Sequence, residues 1–567
     1  LEKGTSKLTR GSVGATSQRI PQSRNTCAQV TEDWEDGVNT APTNSMAIRN
    51  DPIDLEAFRL RRFLDLLRDE GELETVSEQI DLVDIGSRLD GNPKAVLFKK
   101  PGPGGKSDLP VVGNVLGSRR RLALAFGVGA PGLLKEVLKR TAPIAPVEVP
   151  SSMAPVHQTV WTGTDADFTR LPVHLQHGHD GGPYISASID ITKSIDGKKR
   201  NLGYRRLMLR GRTEAGVDMI APSDFRAMYQ EYVSRKERMP VAFIVGSHPA
   251  DSVAATAMSL IDDEVELMGA LRGSPVPLVR CVTIDAMVPA DAEIVLEGYL
   301  DERGWVEPEG PYGEYVGYYG RMKTNPVFHL TAITMRSDAV MQTATIGGRF
   351  LGYTDTAQLC ALRTEVAAWS AVITGIREPV AIYATPSAGG MYNLRLSLRQ
   401  RYPGEVRNAI ASIFGSNADV KHVFAVDDDI DIYSDEQMDW AFATRFQAHR
   451  DLVVSSGFRT IPLDPSLDGS VTGAKAGFDL TFPLGWKKLT EYQVPEAPKL
   501  GASRNMTVKD ALAQGPQSFR DLMEATGSRD GRDVLIALDE VRQDVGLART
   551  SDGRHKLAER KDQASSN

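Results

Sequence analysis

Residues 307–320 read Glu-Pro-Glu-Gly-Pro-Tyr-Gly-Glu-Tyr-Val-Gly-Tyr-Tyr-Gly. Within this stretch, Glu309 and Glu314 stand five residues apart around a Gly-Pro pair and a further glycine. Glycine and proline favour a tight turn, which would direct both carboxylates toward one spot instead of along one strand face. Paired carboxylates in different surroundings can divide their roles, one holding a proton while the other stays charged. The pattern therefore indicates general acid–base chemistry, although a glycine-rich hairpin with two solvated glutamates fits it equally well.

Segments on both sides of this stretch alternate apolar and polar residues, which is typical of β-strands. The alternating apolar positions are Ile185, Ala187, Ile189, Ile191, Phe328, Leu330 and Ala332. The region 151–350 is therefore predicted to form a β-rich, barrel-like domain.

Helical and strand-like segments alternate before and after the predicted barrel. An N-terminal α/β domain is predicted over residues 46–150, ending in the proline-rich stretch 143–155. A C-terminal α/β domain is predicted over residues 351–500. In that second domain, Val423–Val426 is predicted as a buried strand and Asp435–Val453 as one long helix.

The two ends of the chain differ from these domains. Residues 1–45 are polar and lack apolar periodicity, so they are expected to form a disordered leader. Residues 501–567 are predicted to form three helices and a hairpin, which resemble a winged helix. Between Thr507 and Asn567, ten Lys and Arg face eleven Asp and Glu. Because no basic surface is indicated, a packing or assembly role is favoured over DNA binding.

The composition limits the function classes. The 567 residues are 41% hydrophobic and 25% charged, as in folded globular proteins, and their formal net charge of −8 disfavours nucleic acid as a partner. No apolar run is long enough to span a membrane. The three cysteines are widely spaced and match neither a disulfide framework nor a metal site, so a cytoplasmic protein is expected.

The glycine-rich stretch and its flanking segments resemble the UbiD family of decarboxylases from about Leu55 to about Leu484. Individually these segments are weak signals, but their order and spacing are specific. The segments that carry the resemblance, besides residues 307–320, are Asp180–Ile185, Asn201–Arg206, Asp263–Gly273, Asp291–Gly298, Val426–Asp431, Trp440–Arg445 and Gly473–Asp479.

The resemblance implies a fold and a catalytic trio. The family holds prenylated FMN in a split β-barrel, like that of flavin reductases, between two α/β regions. Its Arg-Glu-Glu trio beside the flavin matches Arg206, Glu309 and Glu314. By this resemblance Arg206 pairs with Glu309 and with substrate or flavin, and Glu314 is the acid that protonates the carbon vacated by carbon dioxide.

The resemblance also implies a metal that bridges the cofactor phosphate, Mn²⁺ or Mg²⁺, held in the family by an Asn, a His and a Glu. Asn201 and Glu264 match the first and third ligands, but Asp224 stands where the family usually has the His. An aspartate oxygen suits Mg²⁺ or Mn²⁺. It adds negative charge beside a phosphate, so a compensating K⁺, as in relatives, is expected. A helix N-cap is an equally good interpretation of Asp224.

Two further residues align with cofactor-binding positions of the family. Lys421 matches a lysine that reaches the flavin phosphate, with a solvated lysine at a strand edge as the alternative. Met258 lines the cofactor site by the same resemblance, and an ordinary core methionine is the alternative. The stretch His174-x-x-His177-x-His179 has no partnering cysteine, so loop residues are favoured over a zinc site.

The implied activity is the reversible, non-oxidative decarboxylation of an aromatic or heteroaromatic acid through a covalent adduct with prenylated FMN. A flavin prenyltransferase would supply the cofactor, and a homodimer or a hexamer of dimers is expected. Two alternatives remain. One is an FMN-dependent oxidoreductase on the same barrel, and the other is a regulatory relative that has lost catalysis.

Overall fold

The computed structural model of the protein describes residues 54–103, 109–256, 263–416, 419–486 and 492–558. The expected leader, residues 1–45, lies outside the described residues, and so does Met258.

The N-terminal region is an α/β unit, as predicted. Its first helix buries Leu60, Phe63, Leu64 and Leu67, the four positions of its apolar face. Its elements are α1 (Leu60–Asp69), β1 (Leu73–Ile80), α2 (Ile85–Leu89), β2 (Ala95–Pro101), β3 (Val111–Gly113), α3 (Arg119–Ala125) and α4 (Leu133–Lys139).

The central region begins with two short strands and then forms long ones. Its elements up to the glycine-rich stretch are β4 (Val147–Glu148), β5 (Thr159–Thr162), β6 (Tyr184–Lys193), β7 (Arg200–Leu209), β8 (Glu214–Val217), α5 (Asp224–Arg235), β9 (Met239–Val245), α6 (Pro249–Thr256), α7 (Glu264–Arg272), β10 (Pro277–Arg280), β11 (Met287–Pro289) and β12 (Ile294–Leu300). The remaining ones are β13 (Glu307–Glu309), β14 (Tyr312–Gly313), β15 (Tyr319–Gly320), β16 (Lys323–Asn325), β17 (Val327–Met335) and β18 (Met341–Gln342).

Six of these strands close into an antiparallel barrel, which confirms the predicted fold of this region. Their order is β12-β9-β6-β7-β8-β17, and β12 pairs again with β17. Closure satisfies the backbone groups that an open sheet leaves at its edges. Strand β5 extends the sheet by pairing with β17.

The barrel and the N-terminal sheet share one apolar core. Strand β18 follows the barrel in the chain but pairs in parallel with β3, completing the order β1-β2-β3-β18. Buried side chains of the two regions, such as Phe98 and Phe328, belong to the same hydrophobic cluster. The N-terminal sheet is thereby held directly against the barrel.

The C-terminal region is a second α/β unit with the sheet order β19-β20-β21-β23-β22. Its elements are α8 (Asp355–Gly375), β19 (Pro379–Ala384), β20 (Asn393–Leu398), α9 (Glu405–Ser416), β21 (His422–Asp427), α10 (Asp435–Arg445), α11 (Ala448–Asp451), β22 (Leu452–Arg459) and β23 (Thr472–Leu480).

The prediction of one long helix over Asp435–Val453 is wrong, because α10 ends at Arg445. The Arg445 side chain is buried and pairs with Asp429 at 2.8 Å. Phe446 then adopts an extended backbone, with φ −99° and ψ 130°. After the single turn of α11, strand β22 pairs with β23 at the edge of the sheet. Sheet pairing has overridden a helical pattern here.

The appendage has its own small core, in which Leu522, Leu538 and Val541 are buried. It contains the three helices and the hairpin that the sequence indicates: α12 (Val508–Ala513), α13 (Phe519–Thr526), α14 (Gly531–Asp544), β24 (Leu547–Arg549) and β25 (His555–Leu557). In the part of the chain that the structure describes, no helix is both long and apolar enough to cross a membrane.

Candidate active site

Three segments bring the predicted trio together. Arg206 lies on β7, Glu309 ends β13, and Glu314 follows β14. The turn between the two glutamates requires glycine at position 310, where φ is +99°. Gly320 leaves space for the second carboxylate, because a Cβ there would lie 2.8 Å from Glu314 Oε1.

The trio forms direct ion pairs. Arg206 Nε lies 3.2 Å from Glu309 Oε1, and Arg206 Nη1 donates to Glu314 Oε2 at 3.1 Å. The side chains of Glu309 and Glu314 are 1% and 2% exposed, against 12% for Arg206. The turn predicted from glycine and proline therefore delivers both carboxylates to one buried guanidinium.

Three more polar side chains complete this cluster, and sequence reasoning missed all of them. Asp218 lies just beyond β8 and its Oδ2 is 3.0 Å from Arg206 Nη2. Lys323 Nζ is 3.3 Å from Asp218 Oδ2 and 3.4 Å from Glu314 Oε1. Asn325 Nδ2 donates to Glu309 Oε2 at 3.2 Å. Their only sequence signal is polarity at the ends of short strands.

One aromatic ring and three carboxylates surround the Arg206 guanidinium and favour its cationic form. The ring centroid of Tyr312 is 4.3 Å from the Arg206 guanidinium carbon, and the Tyr312 hydroxyl donates to Gln176 at 2.7 Å. Burial alone would lower the pKa of Arg206, but the carboxylates of Glu314, Asp218 and Glu309 raise that pKa well above its ordinary value. The guanidinium therefore stays charged throughout any reaction cycle.

A cavity of about 200 Å³ runs beside the glycine-rich stretch. It lies between the N-terminal region and the barrel, and its walls include Gly86, Asp90, His174, His177 and Gly347. A Cβ on Gly347 would lie 3.1 Å from the backbone oxygen of Glu314, so this wall is backbone placed directly against the trio. The cavity has room for a small organic molecule, and its Gly347 wall packs against the backbone of Glu314.

His174 is a buried histidine in the wall of this cavity. Its Nε2 lies 3.0 Å from Thr343 Oγ1 and its Nδ1 lies 3.2 Å from the Leu175 carbonyl oxygen. Burial lowers the pKa of His174 from 6.5 to about 4. These contacts give it a structural role.

The lowered pKa of His174 predicts a pH-dependent stability. Below pH 6.5 the unfolded chain takes up a proton that the folded protein accepts only near pH 4, so the free energy of unfolding falls as the pH falls through this window. The full loss is on the order of 3 kcal/mol. Urea unfolding of the His174→Gln variant at a series of pH values should lack this contribution.

The neighbouring His179, which is exposed, supplies the matched control. The His179→Gln variant should retain the wild-type dependence of unfolding free energy on pH. An identical pH dependence in wild type and His174→Gln would show that His174 does not titrate as stated.

A second polar group lies at the N-terminus of α7. Burial raises the pKa of the Glu264 carboxyl to about 7, and the nearby carboxylates of Asp263, Asp224 and Asp190 add to this shift. Glu264 Oε2 is buried and lacks a hydrogen-bond partner. A buried carboxylate oxygen without a donor, close to other carboxylates, is favourable for a cation.

Asn201 is fixed close to this group. Its Nδ2 donates to Asp190 Oδ2 at 2.8 Å, and Asp190 Oδ1 accepts from Arg205 Nε at 2.9 Å. With the amide nitrogen turned to Asp190, the amide oxygen remains as a possible metal ligand. Among the described residues, no three His, Cys, Asp or Glu side chains are arranged to hold a metal ion by themselves. A cation here would therefore need the amide oxygen or oxygens from a bound ligand.

Comparison with protein-family models matches most of the chain. The N-terminal, Rift-related and C-terminal domains of 3-octaprenyl-4-hydroxybenzoate carboxy-lyase match residues 64–141, 147–350 and 357–480, respectively. The chain belongs to the UbiD family of carboxy-lyases. This confirms the resemblance carried by the glycine-rich stretch, and the appendage lies beyond the matched residues.

Solved structures of UbiD-class enzymes have the same fold. The enzyme HmfF from Pelotomaculum thermopropionicum in complex with FMN is 31% identical with a TM-score of 0.72, and the match covers 77% of this chain and 97% of that one. An evolved dimeric form of HmfF in complex with prFMN is 30% identical, with a TM-score of 0.69 and coverages of 78% and 97%. Apo 3,4-dihydroxybenzoic acid decarboxylase from Klebsiella pneumoniae is 26% identical, with a TM-score of 0.72 and coverages of 79% and 98%.

The remaining residues aligned with the UbiD pattern fall in two places. Asp224 is exposed and is the first residue of α5, while Ser223 is the N-cap, because its side chain accepts from the Arg226 backbone N–H. The N-cap interpretation of Asp224 is therefore wrong. Lys421 lies in the C-terminal region, where its Nζ contacts Asp464 and Ser466 at 2.7 Å each.

Proposed function

We propose that this UbiD-family protein reversibly removes carbon dioxide from an aromatic or heteroaromatic carboxylic acid, with prenylated FMN as cofactor and Glu314 as proton donor. The observation that carries the proposal is the charge balance around Arg206. Three carboxylates, those of Asp218, Glu309 and Glu314, surround two cations, Arg206 and Lys323. In this cluster both cations contact the carboxyl of Glu314, which positions that carboxyl as a general acid requires.

Two separate features of the described residues support the proposed cofactor. The cavity includes Gly347 in its wall, and the backbone of Gly347 packs against that of Glu314. The oxygen of Glu264 that lacks a partner would suit a divalent cation, which would supply positive charge for a cofactor phosphate. Prenylated FMN, when bound, supplies the electron sink that direct decarboxylation of an aromatic ring lacks.

The protein's own share of the reaction follows from the geometry. Arg206 orients both glutamates, and Tyr312 and Asn325 hold the trio from either side. Burial keeps bulk water from the Glu314 carboxyl, so its proton is delivered to the ring carbon vacated by carbon dioxide. The 3,4-dihydroxybenzoic acid decarboxylase among the structural neighbours supports an aromatic acid as substrate.

We further propose that Asn201, Asp224 and Glu264 hold Mn²⁺ or Mg²⁺ at the cofactor phosphate, with K⁺ compensating the added negative charge. Asp224 lies close enough to Glu264 to raise its pKa, which supports a shared cation. Met258 and Lys421 remain proposed cofactor-binding residues, although Lys421 already pairs with Asp464. A flavin prenyltransferase as supplier, a cytoplasmic location and a homodimer or hexamer of dimers complete the proposal.

Loss of the Glu264 carboxylate should weaken metal binding. We expect the Glu264→Gln variant, loaded with FMN, to bind Mn²⁺ at least tenfold more weakly than wild type, because a charged oxygen ligand is lost. Electron paramagnetic resonance of free Mn²⁺ during a titration measures this affinity. Glu266→Gln, two residues along the same helix, is the matched control, and equal Mn²⁺ affinity in both variants would remove Glu264 from the metal site.

The proposed function is tested by co-expressing the chain with a flavin prenyltransferase. The mass of the released cofactor identifies it, and carbon dioxide release from a panel of aromatic acids measures the activity. Prenylated FMN together with turnover supports the proposal. Ordinary FMN, or no flavin despite that supply, would contradict it and favour the FMN-dependent oxidoreductase or the regulatory relative.

A further inference from the structure

We propose that Lys323 and Asp218 together set the acidity of Glu314, with Lys323 stabilising the carboxylate that forms as Glu314 gives up its proton. The inference rests on the proposed role of Glu314 and adds two positioning residues to the reaction. Neither residue is part of the Arg-Glu-Glu trio.

Lys323 is shared between two carboxylates. Its Nζ is nearly equidistant from Asp218 Oδ2, at 3.3 Å, and Glu314 Oε1, at 3.4 Å. Arg206 contributes a different nitrogen to each of these carboxylates, Nη2 to Asp218 and Nη1 to Glu314. A small movement of the lysine therefore strengthens one contact at the expense of the other, without moving the guanidinium.

The protonation state of Glu314 decides which contact the lysine favours. When Glu314 is a carboxylic acid, the oxygen that carries the hydrogen is a poor acceptor, and Lys323 is better paired with the charged Asp218. When Glu314 has delivered its proton, Oε1 carries negative charge and attracts the ammonium. Arg206 Nη1 lies 3.1 Å from both Glu314 oxygens, and Lys323 contacts Oε1, so loss of the proton from either oxygen adds negative charge beside the ammonium.

Other groups around Glu314 do not provide this adjustment. Its charged and titratable neighbours are Arg206, Lys323, Asp218, Glu309, Tyr312 and Tyr315. Burial raises the pKa of both tyrosines far beyond the neutral range, so they stay uncharged. Glu309 is held by Arg206 and Asn325. Arg206 also contacts Asp218 and Glu314, but through a rigid guanidinium, whereas Lys323 carries its charge on a flexible side chain.

The proton balance is simple. Glu314 transfers one proton from its carboxyl to the ring carbon that loses carbon dioxide, and it then takes one proton from water. Lys323 keeps its own protons throughout and acts only through its charge. Asp218 opposes Lys323, because a second carboxylate draws the ammonium away and adds negative charge near Glu314.

Substitution of Lys323 and substitution of Asp218 should therefore change how firmly Glu314 holds its proton in opposite directions, which makes the inference testable. In the Lys323→Met variant Glu314 holds its proton more firmly, so the alkaline limb of the kcat profile should move up by about one pH unit. The same change should lower kcat about tenfold, since a weaker acid delivers its proton more slowly, and should leave KM within about twofold. In Asp218→Asn the alkaline limb should move down, and Lys323→Arg should restore most of the wild-type profile.

Arg321→Met is the matched control, because it removes an exposed positive charge two residues from Lys323 in the same segment. It should leave the profile unchanged. The inference would be overturned if the alkaline limb of the kcat profile moved in the same direction in Lys323→Met and Asp218→Asn, or did not move in either holoenzyme. Neither result would contradict the decarboxylase activity itself.

A readout without cofactor separates this inference from the proposed function. The infrared carbonyl band of the Glu314 carboxylic acid, assigned by its loss in Glu314→Gln, can be titrated in the flavin-free protein. We expect the band to persist to higher pH in Lys323→Met and to disappear at lower pH in Asp218→Asn. If these shifts occur but the enzyme loaded with cofactor decarboxylates no aromatic acid, the proposed function is contradicted and the inference about Lys323 and Asp218 is still supported. Unshifted bands in both variants would contradict the inference.

Discussion

Replacing Glu314 with glutamine will reduce carbon dioxide release by about 10²- to 10⁴-fold, the usual contribution of a positioned general acid. Glutamine preserves the size of the side chain and can still accept from Arg206, which contacts Glu314 at 3.1 Å. What it lacks is a transferable proton. Because the fold and the cavity are unchanged, the variant should still bind flavin. Initial rates of carbon dioxide release, normalised to bound cofactor, measure the effect.

Glu307→Gln is the control for this substitution. Glu307 lies in the same segment, but its side chain is 42% exposed and pairs with Arg303 at 3.6 Å. We expect wild-type turnover from this variant, because an exposed ion pair contributes little. If Glu314→Gln retained the activity of Glu307→Gln, another group would have to supply the proton.

Replacing Arg272 with methionine will lower the free energy of unfolding by about 3–5 kcal/mol, as expected when one member of a buried ion network is removed. Arg272 lies in the last turn of α7, where it bonds Asp251 and Asp291 at 2.7 Å each. The three side chains are at most 2% exposed. Methionine would leave two buried carboxylates without a cation. Denaturant unfolding at pH 7 measures the loss.

Arg235→Met tests whether the effect depends on burial. Arg235 ends α5 and pairs with Glu231 at 2.6 Å, but the two side chains are 54% and 44% exposed. Its loss should cost less than about 1 kcal/mol. Equal destabilisation by both variants would contradict the buried-network explanation.

Since α7 also carries Glu264 at its first turn, weaker metal binding in Arg272→Met is expected as well.

The part of the site predicted from the sequence depends on residues that are close in the chain. Glu309 and Glu314 lie on one turn, so glycine and proline spacing was sufficient to predict that they meet. Arg206 was found only through the family resemblance, since 103 residues separate it from Glu309. Asp218 and Lys323, 105 residues apart, had neither kind of signal.

The wrong helix prediction also reflects a contact between residues that are distant in the chain. The segment after α10 has helical periodicity, but Arg445 finds Asp429 and strand β22 finds a partner in β23. Strand β18 joins the N-terminal sheet although it follows the barrel in the chain. In each case a partner that is distant in sequence outweighs a local preference.

The sequence by itself determined the family, the barrel and the turn that carries Glu309 and Glu314. These features follow from local periodicity, from turn residues and from the order of short motifs, all of which can be read along the chain. The tertiary structure alone decided that Asp218 and Lys323 flank Arg206 and Glu314. That contact exists only once β8 pairs with β17 in the barrel, which brings Asp218, just after β8, beside Lys323, shortly before β17. Closure sets the register of distant strands, and the spacing of residues in one sequence does not encode that register.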